Sequence, residues 1–156
     1  MLMKYLILFF ISMVPLIELR GAMLFATGWN MPLLPSYIVC ILGNMLPVPV
    51  IFLFARKVLE WGKDKRYTAK FFTFCLEKGH AAGEKLTKKA STTGLFIALM
   101  LFVGIPLPGT GAWTGTLAAS LLDLDMKKST LAVLLGVLIA GIIMGLAGTG
   151  LFSFFR

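Results

Sequence analysis

The chain has 156 residues, a mean hydropathy of +0.90, 58% hydrophobic and 14% charged residues, and a formal net charge of +8. That length admits one domain, and so apolar a composition excludes the soluble globular class. The charge does not point to nucleic acid, because ten of the fifteen Lys and Arg lie between Arg56 and Lys89, beside four acids, in what reads as a loop between membrane segments. The positive-inside rule places that loop in the cytoplasm, so the expectation is a multi-pass, all-α protein of the cytoplasmic membrane forming a single domain over residues 1–156.

Residues 1–30 read as a re-entrant helical hairpin. Tyr5 to Val14 make about 15 Å of helix, half of a ~30 Å hydrocarbon core, before Pro15-Leu16-Ile17-Glu18-Leu19-Arg20-Gly21-Ala22 interrupts. Glu18 and Arg20 near the midplane each cost ~2.5–3.5 kcal/mol on insertion scales, so they need a match or solvation. Positions i and i+2 point apart on a helix and share a side in an extended turn, which favours a hairpin tip. The plainer alternative has both charges snorkelling into an interface. Lys4, the apolar run and Gly21-Ala22 also have the outline of a signal peptide, but the segment is expected to be retained.

Trp29-Asn30-Met31-Pro32 reads as an interfacial turn, followed by a transmembrane helix over 33–56. Asn44, Pro47 and Pro49 mark it as kinked; Asn44 either bonds to a neighbouring helix or contacts a ligand. Cys40 and Cys75 read as small apolar residues, with no disulfide expected. Residues 57–91 form a basic amphipathic region, with Tyr67, Phe71, Phe74 and Cys75 at helical spacing among Lys63, Lys65, Arg66, Lys70 and Lys78. That pattern predicts a cytoplasmic helix lying on anionic lipid headgroups. His80 has no second ligand at metal-binding spacing and reads as a solvated loop residue.

Residues 92–122 carry the stretch Gly104-Ile105-Pro106-Leu107-Pro108-Gly109-Thr110-Gly111-Ala112-Trp113-Thr114-Gly115-Thr116. Its prolines and glycines break helix in mid-membrane, where every freed backbone group needs a partner or a wet cavity. The two arms are each about 18 Å long, which predicts a second re-entrant hairpin turning at Pro106–Gly111; the alternative is one long kinked span. After the polar turn Asp123–Lys128, residues 129–156 form a transmembrane helix. Its Gly141 and Gly145, with Gly136 and Gly148, predict a face that seats a hairpin or a second subunit.

Pro15-Leu16 before Gly21-Ala22 parallels Pro106-Leu107 before Gly111-Ala112, and Leu42-Gly43 parallels Leu135-Gly136. With 57–91 inside, the two hairpin-plus-helix units enter from opposite faces, giving an inverted repeat with a midplane site. The predicted substrate site takes free N–H groups from Gly21 and Gly111, the Arg20 fork for an anion, and Glu18 as proton or counter-charge carrier. Thr110, Thr114 and Thr116 supply hydroxyls, Trp113 an apolar wall, and Pro106, Pro108 and Gly109 the turn; Asn44 joins from the second segment. No Ser–His, His–Glu–metal or paired-carboxylate set lies at membrane depth, so neither an enzyme nor a cofactor is expected, only proton or sodium coupling.

The stretches Pro15–Ala22 and Ile105–Gly115 resemble the two signatures of the small multi-drug export proteins, and the resemblance runs in order along nearly the whole chain. That family is considered related to the DedA superfamily of membrane transporters. The relation implies two inverted hairpin–helix pairs and translocation of a lipid-linked phosphate such as undecaprenyl phosphate, with proton coupling. The chain departs from DedA in having no arginine between 92 and 120, so anion binding here would rest on Arg20 and backbone amides. The expected function is therefore transport of an anionic substrate by alternating access, in a homodimer surrounded by membrane lipids. A four-span, proton-coupled exporter of lipophilic cations and a non-transport membrane scaffold are the alternatives.

Overall fold

The structure is a computed structural model describing residues 2–67, 69, 70, 73, 74, 77, 81, 84, 88, 90–107 and 109–154, without the side chains of residue 59 and residues 151–154. Phe71, Cys75, Lys78, His80 and Pro108 lie outside the described residues. The described elements are all helical: α1 (Leu2–Met13), α2 (Glu18–Gly28), α3 (Leu33–Met45), α4 (Pro47–Lys63), α5 (Thr92–Gly104), α6 (Ala112–Leu121) and α7 (Met126–Phe154).

Local chemistry sets the ends. Ser91 caps α5 by accepting from the Gly94 N–H at 3.1 Å, and the Asp125 carboxylate takes the Lys128 N–H at 2.9 Å at the start of α7. Such caps satisfy backbone donors that the first turn leaves open. Pro47 opens α4, where a missing N–H costs nothing, so α3 and α4 continue one another through Leu46, whose own backbone is helical. Leu33–Lys63 and Met126–Gly150 are each long and apolar enough to cross a membrane. Only 28% and 44% of their most apolar windows are buried in the protein, unlike the core helix of a soluble domain. Leu34, Leu42, Leu53, Ile142 and Leu146 stand exposed along them, an apolar belt of the kind that marks an interaction with lipid or protein.

The four shorter helices form two helix–turn–helix hairpins. Lys4, early in α1, lies over the Trp29 ring beyond the end of α2, so the chain returns to where it started. Likewise Thr92 and Leu95 of α5 share a cavity wall with Asp123 and Leu124 beyond α6. The glycines of α7 show how the hairpins stack along it. A methyl group at Gly136 would fall 2.7 Å from Met100 O and from Val103 Cβ; at Gly141, 2.9 Å from Leu19; at Gly145, 3.4 Å from Met23; at Gly148, 2.8 Å from Thr27 Oγ1. Thus α5 lies along the first half of α7 and α2 along the second, and the expected small-residue face seats both hairpins.

The other arms repeat this on the α3–α4 helix. Ser12 of α1 packs against Gly43 of α3, whereas Ser120 of α6 donates to Phe52 O of α4 at 2.9 Å. The hairpins therefore open toward opposite ends of the long helices, and their tips meet between them. At one end Arg56 of α4 holds Asp123 by two hydrogen bonds, the Nη2–Oδ2 one 3.0 Å long, and Lys65 lies 4.5 Å from the Trp61 ring centroid. Tyr37 ties the long helices together by donating to Leu138 O at 2.6 Å. Around the tips lies a close-packed core that includes Leu8, Leu19, Cys40, Val48, Val103, Ala112, Ala119, Val133 and Val137.

Candidate functional site at the meeting of the two helix breaks

Each break leaves backbone groups without helical partners. In the second hairpin α5 ends at Gly104 and α6 begins at Ala112, so the last carbonyls of one and the first N–H groups of the other lack partners within their own helix. Two charged side chains from the first hairpin fill both roles. The Glu18 carboxylate, only 6% exposed, accepts from the N–H groups of Ala112 and Trp113, each at 3.1 Å. Arg20 donates to Leu107 O at 2.7 Å, Val103 O at 2.8 Å, Ile105 O at 3.2 Å and Thr110 Oγ1 at 3.2 Å. The anion thus sits on the positive end of α6 and the cation on the negative end of α5. In return, the Trp113 indole N–H reaches Met13 O at the end of α1, 3.1 Å away.

The backbone makes this fit possible at two points. Gly111 has no side chain, and any Cβ there would land on the Glu18 carboxylate. Gly109 takes a left-handed φ of +81°, which glycine adopts without the usual steric cost. The first tip is strained: Leu16 at φ 77° and Glu18 at φ 51° are left-handed without being glycine, a cost of roughly 1–2 kcal/mol each. That strain turns the chain sharply after Pro15 and aims Glu18 across the gap.

Between the tips lies a cavity of about 300 Å³, open to the outside. Glu18, Arg20, Pro106, Gly109, Thr110, Gly111, Trp113 and Thr114 of the predicted site line it. Leu16, Leu107, Leu117 and Met144 complete an apolar wall. The Pro-Leu pairs of both breaks signal two of these residues in the sequence, but nothing singles out Leu117 or Met144. Thr110 is already engaged, donating toward Ile105 O and Leu107 O at 2.9 Å, while Thr114 makes a long bond to Gly111 O at 3.4 Å.

Four expectations change with the geometry. Gly21 is inside α2, its N–H bound to Ile17 O at 2.8 Å, so it offers no free donor. The amides at the start of α6 are held by Glu18 and are not open. Glu18 and Arg20 do not share one side of an extended turn; both belong to the first turn of α2, and their length lets them reach opposite ends of the partner break. Asn44 and Thr116 are buried, at 2% and 1% exposure, and do not line the cavity.

The family profile described as "Putative small multi-drug export protein" matches residues 18–143, a region that starts at Glu18 and contains the whole second break. The chain belongs to that family. No curated protein and no solved structure matches it.

Proposed function

We propose that this member of the small multi-drug export family is a secondary transporter, not an enzyme, and that its substrate is an anionic amphiphile. The observation that carries this reading is the Glu18 carboxylate seated on the Ala112 and Trp113 amides beside Arg20. Those groups bind a carboxylate within the protein, and they suit the carboxylate or phosphate of a substrate for the same reason. Protonation of Glu18 removes its charge and weakens its hold, which lets a substrate anion take the amides and Arg20. The apolar wall of Leu16, Leu107, Leu117 and Met144 then accepts the substrate's hydrocarbon. A lipid-linked phosphate has both parts, and this substrate class, like the relation to DedA, belongs to the proposal.

The tip-to-tip arrangement supports an inverted repeat of two re-entrant hairpins, working by alternating access around the cavity. Arg56 holding Asp123 supports it further, since a four-span chain would put those two residues at opposite faces. In this reading 57–91 lies in the cytoplasm, the apolar belt meets the lipid of the cytoplasmic membrane, and the working unit is a homodimer. A lipophilic cation fits the site less well, because displacing Glu18 would leave it facing Arg20 and the positive end of α6.

Proteoliposomes test the reading directly, with a short-chain fluorescent lipid phosphate and ethidium as anionic and cationic probes. The expected result is protein-dependent movement of the phosphate, stimulated by an inward proton gradient and reduced at least tenfold by Arg20→Ala. Movement of ethidium alone, unaffected by Arg20→Ala, would overturn it.

A further inference from the structure

The open end of the second hairpin carries another cavity, of about 220 Å³, between the starts of α5 and α7. Leu95, Phe96 and Leu99 line it from α5, and Asp125, Lys128, Ser129 and Ala132 from the start of α7, each set at the three- and four-residue spacing of one helix face. Burial separates its depth from its mouth. Leu99 and Ala132 are 9% and 0% exposed, whereas Asp125 and Lys128 are exposed. The depth is hydrocarbon, and a buried water there would lack the two to four polar partners it needs.

The polar groups near the mouth are unpaired among the described residues. Ser129 is only 4% exposed, yet its hydroxyl makes no hydrogen bond. An unpaired buried hydroxyl costs about 1–3 kcal/mol, which alanine would avoid, so this buried serine is a sign of a ligand independent of the charges around it. Lys128 makes no ion pair, and Asp125 gives one oxygen to the Lys128 N–H and keeps the other free. Asp123 differs, because Arg56 holds it.

The level of the mouth identifies the kind of ligand. Arg56 reaches Asp123 at the cavity, and Trp61 follows a turn and a half later on α4, about 7 Å along the axis. Trp61 is 64% exposed and Lys65 lies 4.5 Å from its ring centroid, the pairing of aromatic ring and cation that marks the headgroup level of a bilayer. The charged mouth therefore stands near headgroups and the apolar depth near acyl chains. Lys128 and Asp125 offer one cation and one anion, which match a headgroup carrying a phosphate and an ammonium. We propose that this cavity binds a phospholipid with an ethanolamine headgroup: Lys128 takes the phosphate, Asp125 the ammonium, Ser129 an oxygen of the neck, and Leu95, Phe96 and Leu99 the start of a chain. A choline headgroup has no N–H to donate to Asp125, and a glycerol headgroup brings only neutral hydroxyls and an unbalanced negative charge.

The test is titration of the purified, delipidated full chain in detergent with dioctanoyl phosphatidylethanolamine, phosphatidylcholine and phosphatidylglycerol, read by native mass spectrometry and by Tm. The expected result is one ethanolamine lipid bound at least tenfold more tightly than either other lipid, and water-soluble phosphoethanolamine bound at least tenfold more weakly than the lipid. Asp125→Asn keeps an oxygen for the Lys128 N–H, so Tm without lipid should hold while the preference for ethanolamine over choline disappears. Lys128→Met should weaken all three lipids together. Asp125→Asn should still move the fluorescent lipid phosphate, because the cavity between the tips is untouched, so failure of this site and failure of the transport reading appear in different assays. Equal binding of the three lipids, an undiminished preference in Asp125→Asn, or phosphoethanolamine bound as tightly as the lipid would overturn the proposal.

Discussion

The carboxylate of Glu18 occupies the space in which a side chain on Gly111 would stand. The two residues are on different hairpins, so a glycine in one break is what allows an acid from the other to reach the amides of Ala112 and Trp113. Gly111 itself has φ −177°, an extended conformation any residue can adopt, so the requirement is space and not backbone freedom. Gly111→Ala should therefore push Glu18 off both amides. A loss of roughly 2–4 kcal/mol is expected from an unpaired buried charge and uncapped N–H groups, read as a fall in Tm in detergent or nanodiscs. A Tm unchanged within error would mean that Glu18 does not hold the helix end.

Glu18→Gln keeps the shape and one good acceptor while removing the charge. Charge-assisted hydrogen bonds are about twice as strong as neutral ones, so the lock should loosen by about 1–2 kcal/mol and the fold survive. Transport should lose its dependence on the proton gradient while the substrate still binds. Retained proton dependence in this variant would place the coupling group elsewhere.

Arg20 serves four acceptors through two nitrogens of one planar group, three of them carbonyls at or just beyond the end of α5. A lysine brings the same charge as a single point and cannot span that set. Arg20→Lys should thus behave nearly like Arg20→Ala in the lipid-phosphate assay, with at least a tenfold loss. Wild-type activity in Arg20→Lys would show that charge alone matters at this position.

Arg56 near the end of α4 holds Asp123 just beyond the second hairpin, and the proposed topology therefore predicts that residue 126 lies on the same side as the basic segment. In a background lacking Cys40 and Cys75, single cysteines at Met126 and Tyr67 should label with an impermeant maleimide from the same face of a sealed vesicle. Labelling from opposite faces would make 92–122 a span and exclude the hairpin.

Much of the outline is legible in the linear chain because membrane insertion leaves so few choices. Apolar length and the Lys and Arg bias mark the long helices, and backbone groups in hydrocarbon must be satisfied, which makes the breaks at Pro15 and Pro106 conspicuous. The helix ends at Ser91, Pro47 and Asp125 follow from capping and from the missing proline N–H, both local effects. What the tertiary structure alone decides is pairing. Glu18 and Ala112 are 94 positions apart and Arg20 and Leu107 are 87 apart, so no local pattern says that each charge serves one end of the opposite break. The placement of Asn44 and Thr116 away from the cavity has the same origin, since burial depends on which helix packs alongside. Local chemistry writes the breaks into the chain, and the cost of unpaired groups in a low-dielectric interior selects the one docking that closes them.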